Sequence, residues 1–91
     1  MLVMQTTPLL VEAMLADGYE VRVRFEDGLT ARVNLSYLLE YGGVFEPLRD
    51  PEYFRRLRAD RDARTIVWPN EADIAPETLY LHAQRHAGAA G

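Results

Sequence analysis

The chain contains no cysteine, and since all ten of its basic residues are arginine it contains no lysine either. The first absence excludes disulfides and thiolate metal sites and fits a reducing compartment, so a cytoplasmic protein is expected. The second favours fork-shaped ion pairs over point-charge contacts. No apolar run approaches the ~18 residues of a membrane-spanning helix. The first residues, Met1 to Gln5, have no basic segment ahead of a long apolar stretch, which speaks against a secretory leader. Serine occurs once, as Ser36, with no histidine and acid arranged around it, so no hydrolytic triad is expected. Gly42-Gly43 lacks the preceding strand and the lysine of a phosphate-cradling loop.

The 91 residues are 48% hydrophobic, enough for one small folded domain with a single core. We expect that domain to span residues 1–87, with 88–91 as a frayed tail. Fourteen acids against ten bases leave a net charge of −4. An acidic chain gains little from neutralising phosphates, so direct nucleic-acid binding is not expected, and a basic protein partner suits the balance better. No membrane partner and no cofactor is expected.

Apolar periodicity predicts an α+β domain. Leu10 to Ala16, Tyr19 to Phe25 and Leu29 to Asn34 read as strands, the second with strict alternation of Tyr19, Val21, Val23 and Phe25 against Glu20, Arg22, Arg24 and Glu26. Residues directly opposite in an antiparallel pair share a face. That parity pairs Phe25 with Leu29 around Glu26-Asp27-Gly28, and Leu15 with Tyr19 around Ala16-Asp17-Gly18, giving a three-stranded meander. A short helix through Tyr37 to Glu40 follows, capped by Asn34 or Ser36. Next come a connector from Val44 to Arg49 anchored by Phe45 and Leu48, and a second short helix with Asp50 as cap and Pro51 at its first position. Leu57–Asp60 and Thr65–Trp68 read as a second hairpin, and Pro76 opens a terminal helix.

The derived register sets Glu12 opposite Arg22, Arg22 opposite Arg32, Arg24 diagonal to Arg32, and Glu20 between Met14 and Asn34. The meander's outer face is then either a solvated surface of neutralised charge or a patch for an acidic group. His82 and His86 are four residues apart on the last helix and project from one side. With Asp73 they form a conceivable metal set, although the sequence between them lacks the glutamate of a metalloprotease motif. Asp60, Asp62, Glu71 and Asp73 are read as turn caps rather than acid–base catalysts or calcium ligands. Trp68-Pro69-Asn70 reads as a tightly specified connection, or as a rigid recognition loop.

Phe25-Glu26-Asp27-Gly28, Val33-Asn34-Leu35, Val44-Phe45-Glu46-Pro47-Leu48, Asp50-Pro51 with Phe54, and Trp68-Pro69-Asn70-Glu71-Ala72-Asp73-Ile74-Ala75-Pro76-Glu77 with Leu79-Tyr80 follow one another in order. In these residues the chain resembles the domain-of-unknown-function 2442 (DUF2442) family of small bacterial proteins, from about Val11 to Ala83. The signature comprises Phe25, Asp27, Gly28, Trp68, Pro69, Asn70, Asp73, Pro76, Leu79 and Tyr80. Two positions depart: Glu71 stands where relatives often have Gly, and Glu26 where Ser is common. The resemblance implies an α+β domain with a meander, short helices, a second strand pair and a terminal helix. It implies no catalytic residue and no metal site. Some relatives carry a helix-turn-helix domain after this one, and none is expected here. Others are encoded beside a second small protein in a toxin–antitoxin-like pairing.

The expectation is a non-enzymatic interaction module, the acidic, antitoxin-like or regulatory partner in a two-gene system. Its expected contacts are Glu12, Glu20, Arg22, Arg24 and Arg32 on the outer meander face and Asn70 and Asp73 in the Trp68–Pro76 loop. Self-association is a further expectation, because a small sheet leaves unpaired edges. The alternative is a small-ligand or metal-sensing domain centred on Asp73, His82 and His86.

Overall fold

The computed structural model describes residues 7–87. The first six residues and the tail expected at 88–91 lie outside it. Strands β1 (Leu10–Asp17), β2 (Glu20–Phe25) and β3 (Thr30–Asn34) form an antiparallel sheet in that order. Two 3-10 segments, Ser36–Glu40 and Gly43–Arg49, lead to a one-turn helix α1 (Pro51–Phe54). A two-stranded hairpin of β4 (Arg58–Asp60) and β5 (Thr65–Val67) and the terminal helix α2 (Pro76–Ala87) complete the domain. This is the α+β architecture that the apolar periodicity predicts.

One face of the meander carries the core. Val21, Val23, Phe25, Ala31, Val33 and Leu35 are buried, and α2 brings Leu79 and Ala83 to the same core cluster. Removing this much apolar surface from water is the main stabilising term of a small domain. The opposite face is solvated, with Glu12, Met14, Arg22, Arg24 and Arg32 exposed.

The β2–β3 hairpin has the expected register. Phe25 N–H donates to Leu29 O at 2.9 Å, Gly28 N–H returns to Phe25 O at 2.9 Å, and Arg22 lies opposite Arg32. Gly28 takes φ +95, the left-handed position that the bulge of a three-residue loop requires.

The β1–β2 register differs from the expectation by two residues. Leu15 pairs with Val21 rather than with Tyr19, and Glu12 lies opposite Arg24 rather than Arg22. Met14 faces Arg22, and Glu20 faces Asp17 and Asn34. The loop contains Gly18 and Tyr19, and Ala16 is the extra residue of a bulge between Leu15 and Asp17. Gly18 has φ +55 while Tyr19 does not enter the left-handed region, as in a two-residue type II′ turn. Parity fixes which face a residue occupies but fixes its partner only modulo two. A bulge lets a shorter loop satisfy the same faces. Tyr19, in the turn rather than opposite Leu15, packs edge-on against Phe54 at 4.6 Å and donates its hydroxyl to Leu48 O at 3.1 Å.

The connector expected at Val44–Arg49 is itself a 3-10 segment, with Leu48 buried and Phe45 only half-buried. Asp50 caps α1 as expected, its Oδ1 accepting from Glu52 N–H at 3.0 Å. Asn34 Oδ1 accepts from Ser36 N–H at 2.9 Å, so it satisfies the entry to the first 3-10 segment.

Candidate interaction surface

The signature residues converge on two structural ties. Trp68 is fully buried, and its indole N–H donates to Phe54 O at 3.0 Å. Glu71 N–H donates to Trp68 O at 2.8 Å and Trp68 N–H to Ala72 O at 2.9 Å, closing a tight turn in which Glu71 adopts φ +71. Asn70 serves both sides of this turn: Oδ1 accepts from Ala72 N–H at 3.1 Å and Nδ2 donates to Val44 O at 2.9 Å. The second tie joins the β2–β3 loop to α2. The Tyr80 hydroxyl on α2 donates to Asp27 Oδ2 in the β2–β3 loop, and the Tyr80 ring meets Phe25 edge-on at 4.9 Å. That hydrogen bond, followed by one from Leu29 N–H, holds the Asp27 carboxyl below the usual carboxylate range, and the same pairing raises the Tyr80 phenol. The Asn70 amide, expected as a partner contact, is therefore engaged within the fold.

On the outer meander face, two ion pairs form. Arg24 meets Glu12 at 3.2 Å and Arg32 meets Glu20 at 2.8 Å. All four side chains are well exposed, so each pair contributes roughly 0–1 kcal/mol. Arg22, directly across from Arg32, has no carboxylate partner among the described residues. A shallow depression of about 260 Å³ lies beside it, between Met14, Leu15, Ala16, Arg22 and Arg32. Arg22 is thus the arginine of this face without an ion pair among the described residues, while Asp17, opposite Glu20, adds a further carboxylate.

A different surface assembles around α2 and the 3-10 segments. The rings of His86, His82, Tyr37, Tyr41 and Phe45 form a continuous row, with successive centroids 4.8, 5.7, 6.2 and 6.0 Å apart. The row crosses from the last turns of α2 over both 3-10 segments. Two adjoining depressions follow it and share Tyr37 and Thr78. One, of about 240 Å³, also takes in Leu38, Tyr41, Phe45, Asp73, Ile74 and Ala75. The other, of about 220 Å³, takes in Leu81, His82 and Arg85. Tyr41, Val44 and Leu81 are 67, 55 and 51% exposed, three of the four large apolar side chains most open to solvent. Burial raises the Tyr37 phenol, and its buried hydroxyl has no hydrogen-bond partner.

The histidines do not gather the third ligand considered for them. Among the described residues no three His, Asp or Glu side chains are placed to hold a metal ion, so Asp73, His82 and His86 do not form one site. Partial burial, then the neighbouring charges of His86 and Arg85, lowers the His82 pKa. Asp60 is a turn cap, as read from sequence: Oδ1 accepts from Ala63 N–H at 2.9 Å, which with the Arg58 contact lowers its pKa.

The Phe25–Gly28 loop is tied to α2 and the Trp68 turn to α1. Residues 10–85 match the model of a family described as a protein of unknown function, DUF2442. The chain belongs to the DUF2442 family. No characterised protein and no solved structure gives a match. No helix among the described residues is long and apolar enough to cross a membrane. Within this DUF2442 domain, Tyr37, Tyr41, Phe45 and Leu81 are the surface residues that sequence reasoning missed. The available signal was the repetition of aromatics at 37, 41 and 45, which Gly42-Gly43 masks by interrupting the helical period.

Proposed function

We propose that this DUF2442 domain is a non-enzymatic protein-interaction module, docking a basic partner protein on the aromatic groove between the 3-10 segments and α2. The observation that carries the reading is the exposed apolar surface here: Tyr41 and Leu81 stand open at two adjoining depressions and Val44 is exposed next to Phe45, while among the described residues Met14 is the one other large apolar side chain so open. Contiguous exposed apolar surface rimmed by polar groups marks association sites on small soluble domains. The net charge of −4 supports a basic partner. A two-gene, antitoxin-like or regulatory pairing in a cytoplasmic setting is the biological frame proposed for it.

Affinity purification from the native host at native expression tests this. The expected result is one stoichiometric protein, identified by mass spectrometry, that the doubly substituted Tyr41→Ser, Leu81→Ser variant fails to retain. Equal retention by that variant, with loss in Arg22→Glu, Arg32→Glu, would move the contact to the outer meander face. Recovery of the chain only with copies of itself would overturn the reading.

A further inference from the structure

The groove is chemically polarised. At the end formed by Tyr37, Tyr41 and Phe45, the only charged side chain lining the depression is Asp73. At the other end, beyond Tyr37, the lining includes Arg85 and His82. Asp73 is exposed and forms no ion pair among the described residues. Its backbone is held by the bridge to Val67 next to the Trp68 turn, so the carboxylate stands on a fixed support. Tyr41 and Phe45 are tilted by 50° with centroids 6.0 Å apart, and Tyr37 stands at 87° to Tyr41. Three rings at different inclinations therefore surround a depression of about 240 Å³ that has a carboxylate in its wall.

Aromatic faces attract cations through the ring quadrupole, and Arg or Lys is the usual occupant of such a setting. A nearby carboxylate adds a charge-assisted hydrogen bond. We infer that the Tyr37–Tyr41–Phe45–Asp73 depression receives one lysine or arginine side chain of the partner protein. The depression is large enough for the aliphatic stem to lie on Leu38 and Ile74 while the charged head reaches Asp73. Arg85 at the far end repels a second cation, so the groove accepts a basic segment in one direction only.

This inference rests on the interaction reading and names the anchor within it. The two can fail separately. The probes are N-acetyl-arginine amide and N-acetyl-lysine amide, titrated into the ¹⁵N-labelled chain and followed by NMR, with neutral N-acetyl-norleucine amide as control. Saturable shifts at Tyr41, Phe45, Asp73 and Ala75 with the cationic probes, and weaker or absent ones with norleucine amide, are expected. Asp73→Asn, a surface change, should weaken the cationic probes about tenfold, the size of one charge-assisted contact. Arg85→Ala should leave their binding unchanged or strengthen it. Equal response to the neutral probe, or no response at the groove up to the solubility limit, would overturn the inference. If a partner is nonetheless captured through Tyr41 and Leu81, the interaction reading survives with a different anchor. If the cations bind and no partner is captured, the anchor chemistry holds and the protein-docking reading falls.

Discussion

The Trp68 turn and the Tyr37–Tyr41–Phe45 groove lie side by side, joined by the Asn70 bond to Val44, and they are opposites in physical character. In the turn, the large side chain is buried and the hydrogen-bonding groups of Trp68 and Asn70 find partners inside the fold. In the groove, Tyr41 and Val44 face solvent, and the Tyr37 hydroxyl is buried without a partner. Trp68 and Asn70 hold the turn together, whereas the groove sets Phe45 and Asp73 of the quoted motifs beside Tyr37 and Tyr41, which those motifs do not include. In this DUF2442 domain, a sequence signature is a guide to architecture before it is a guide to contact.

Substitution at the two centres tests that contrast most strongly. Trp68→Ala should lose about 3–5 kcal/mol of stability in urea unfolding, because a buried aromatic leaves a cavity and an unpaired Phe54 carbonyl. Tyr41→Ser should change stability by less than about 0.5 kcal/mol, as exposed positions do. Comparable losses at both positions would show the groove to be part of the core and dissolve the distinction. A smaller effect is expected at the seam, where Asn70→Ala removes two hydrogen bonds and should cost about 1–3 kcal/mol. Its companion measurement is the amide exchange rate of Ala72, which should rise as its acceptor disappears.

The pH dependence should separate the regions further. The folded-state pKa of Asp27 lies below its ordinary 3.8, so its contribution is present above that value and is lost as pH falls through the depressed one. The Tyr80 phenol is raised above 10.0, so the same tie also weakens as strong alkali ionises it. Tyr80→Phe should therefore flatten the acid limb of a melting-temperature profile while leaving the neutral region nearly level. His82 acts in a different window. Its folded pKa lies below 6.5, so the unfolded chain binds its proton first and stability falls as pH drops from 6.5 towards the depressed value. His82→Gln should remove that slope and leave the acid limb intact.

The finest test concerns one backbone angle. Glu71 holds φ +71, where a side chain costs roughly 1–2 kcal/mol. Glycine relieves that strain but loses about 0.5–1 kcal/mol to greater freedom of the unfolded chain. Glu71→Gly should thus stabilise the domain by a few tenths of a kcal/mol, read as a small rise in melting temperature. A loss would mean that the Glu71 side chain makes a compensating interaction.

Features governed by short-range rules were legible before the fold was known. The Phe25–Leu29 hairpin followed from side-chain parity and Gly28, the α1 cap from Asp50-Pro51, and the opening of α2 from Pro76. The β1–β2 register was not legible, because parity tolerates any shift of two and the Ala16 bulge chose between the alternatives. Glu12 consequently pairs with Arg24 and leaves Arg22 without an ion pair among the described residues. The aromatic groove was less legible still. Tyr37 and Phe45 belong to two 3-10 segments, with Tyr41 in the turn between, and no local pattern specifies how those segments are placed.

By itself, the sequence determined the faces of the strands, the α1 cap, the turn between β2 and β3, and the charge of the whole. These depend on neighbours a few residues away, where backbone geometry leaves few choices. Tertiary structure alone decided which arginine is left unpaired, that Asp27 meets Tyr80, and that Asp73 joins Tyr37, Tyr41 and Phe45 from well before it in the chain. Those outcomes depend on how α2 and the 3-10 segments pack over a shared core, and packing is set by the shapes of many buried side chains at once.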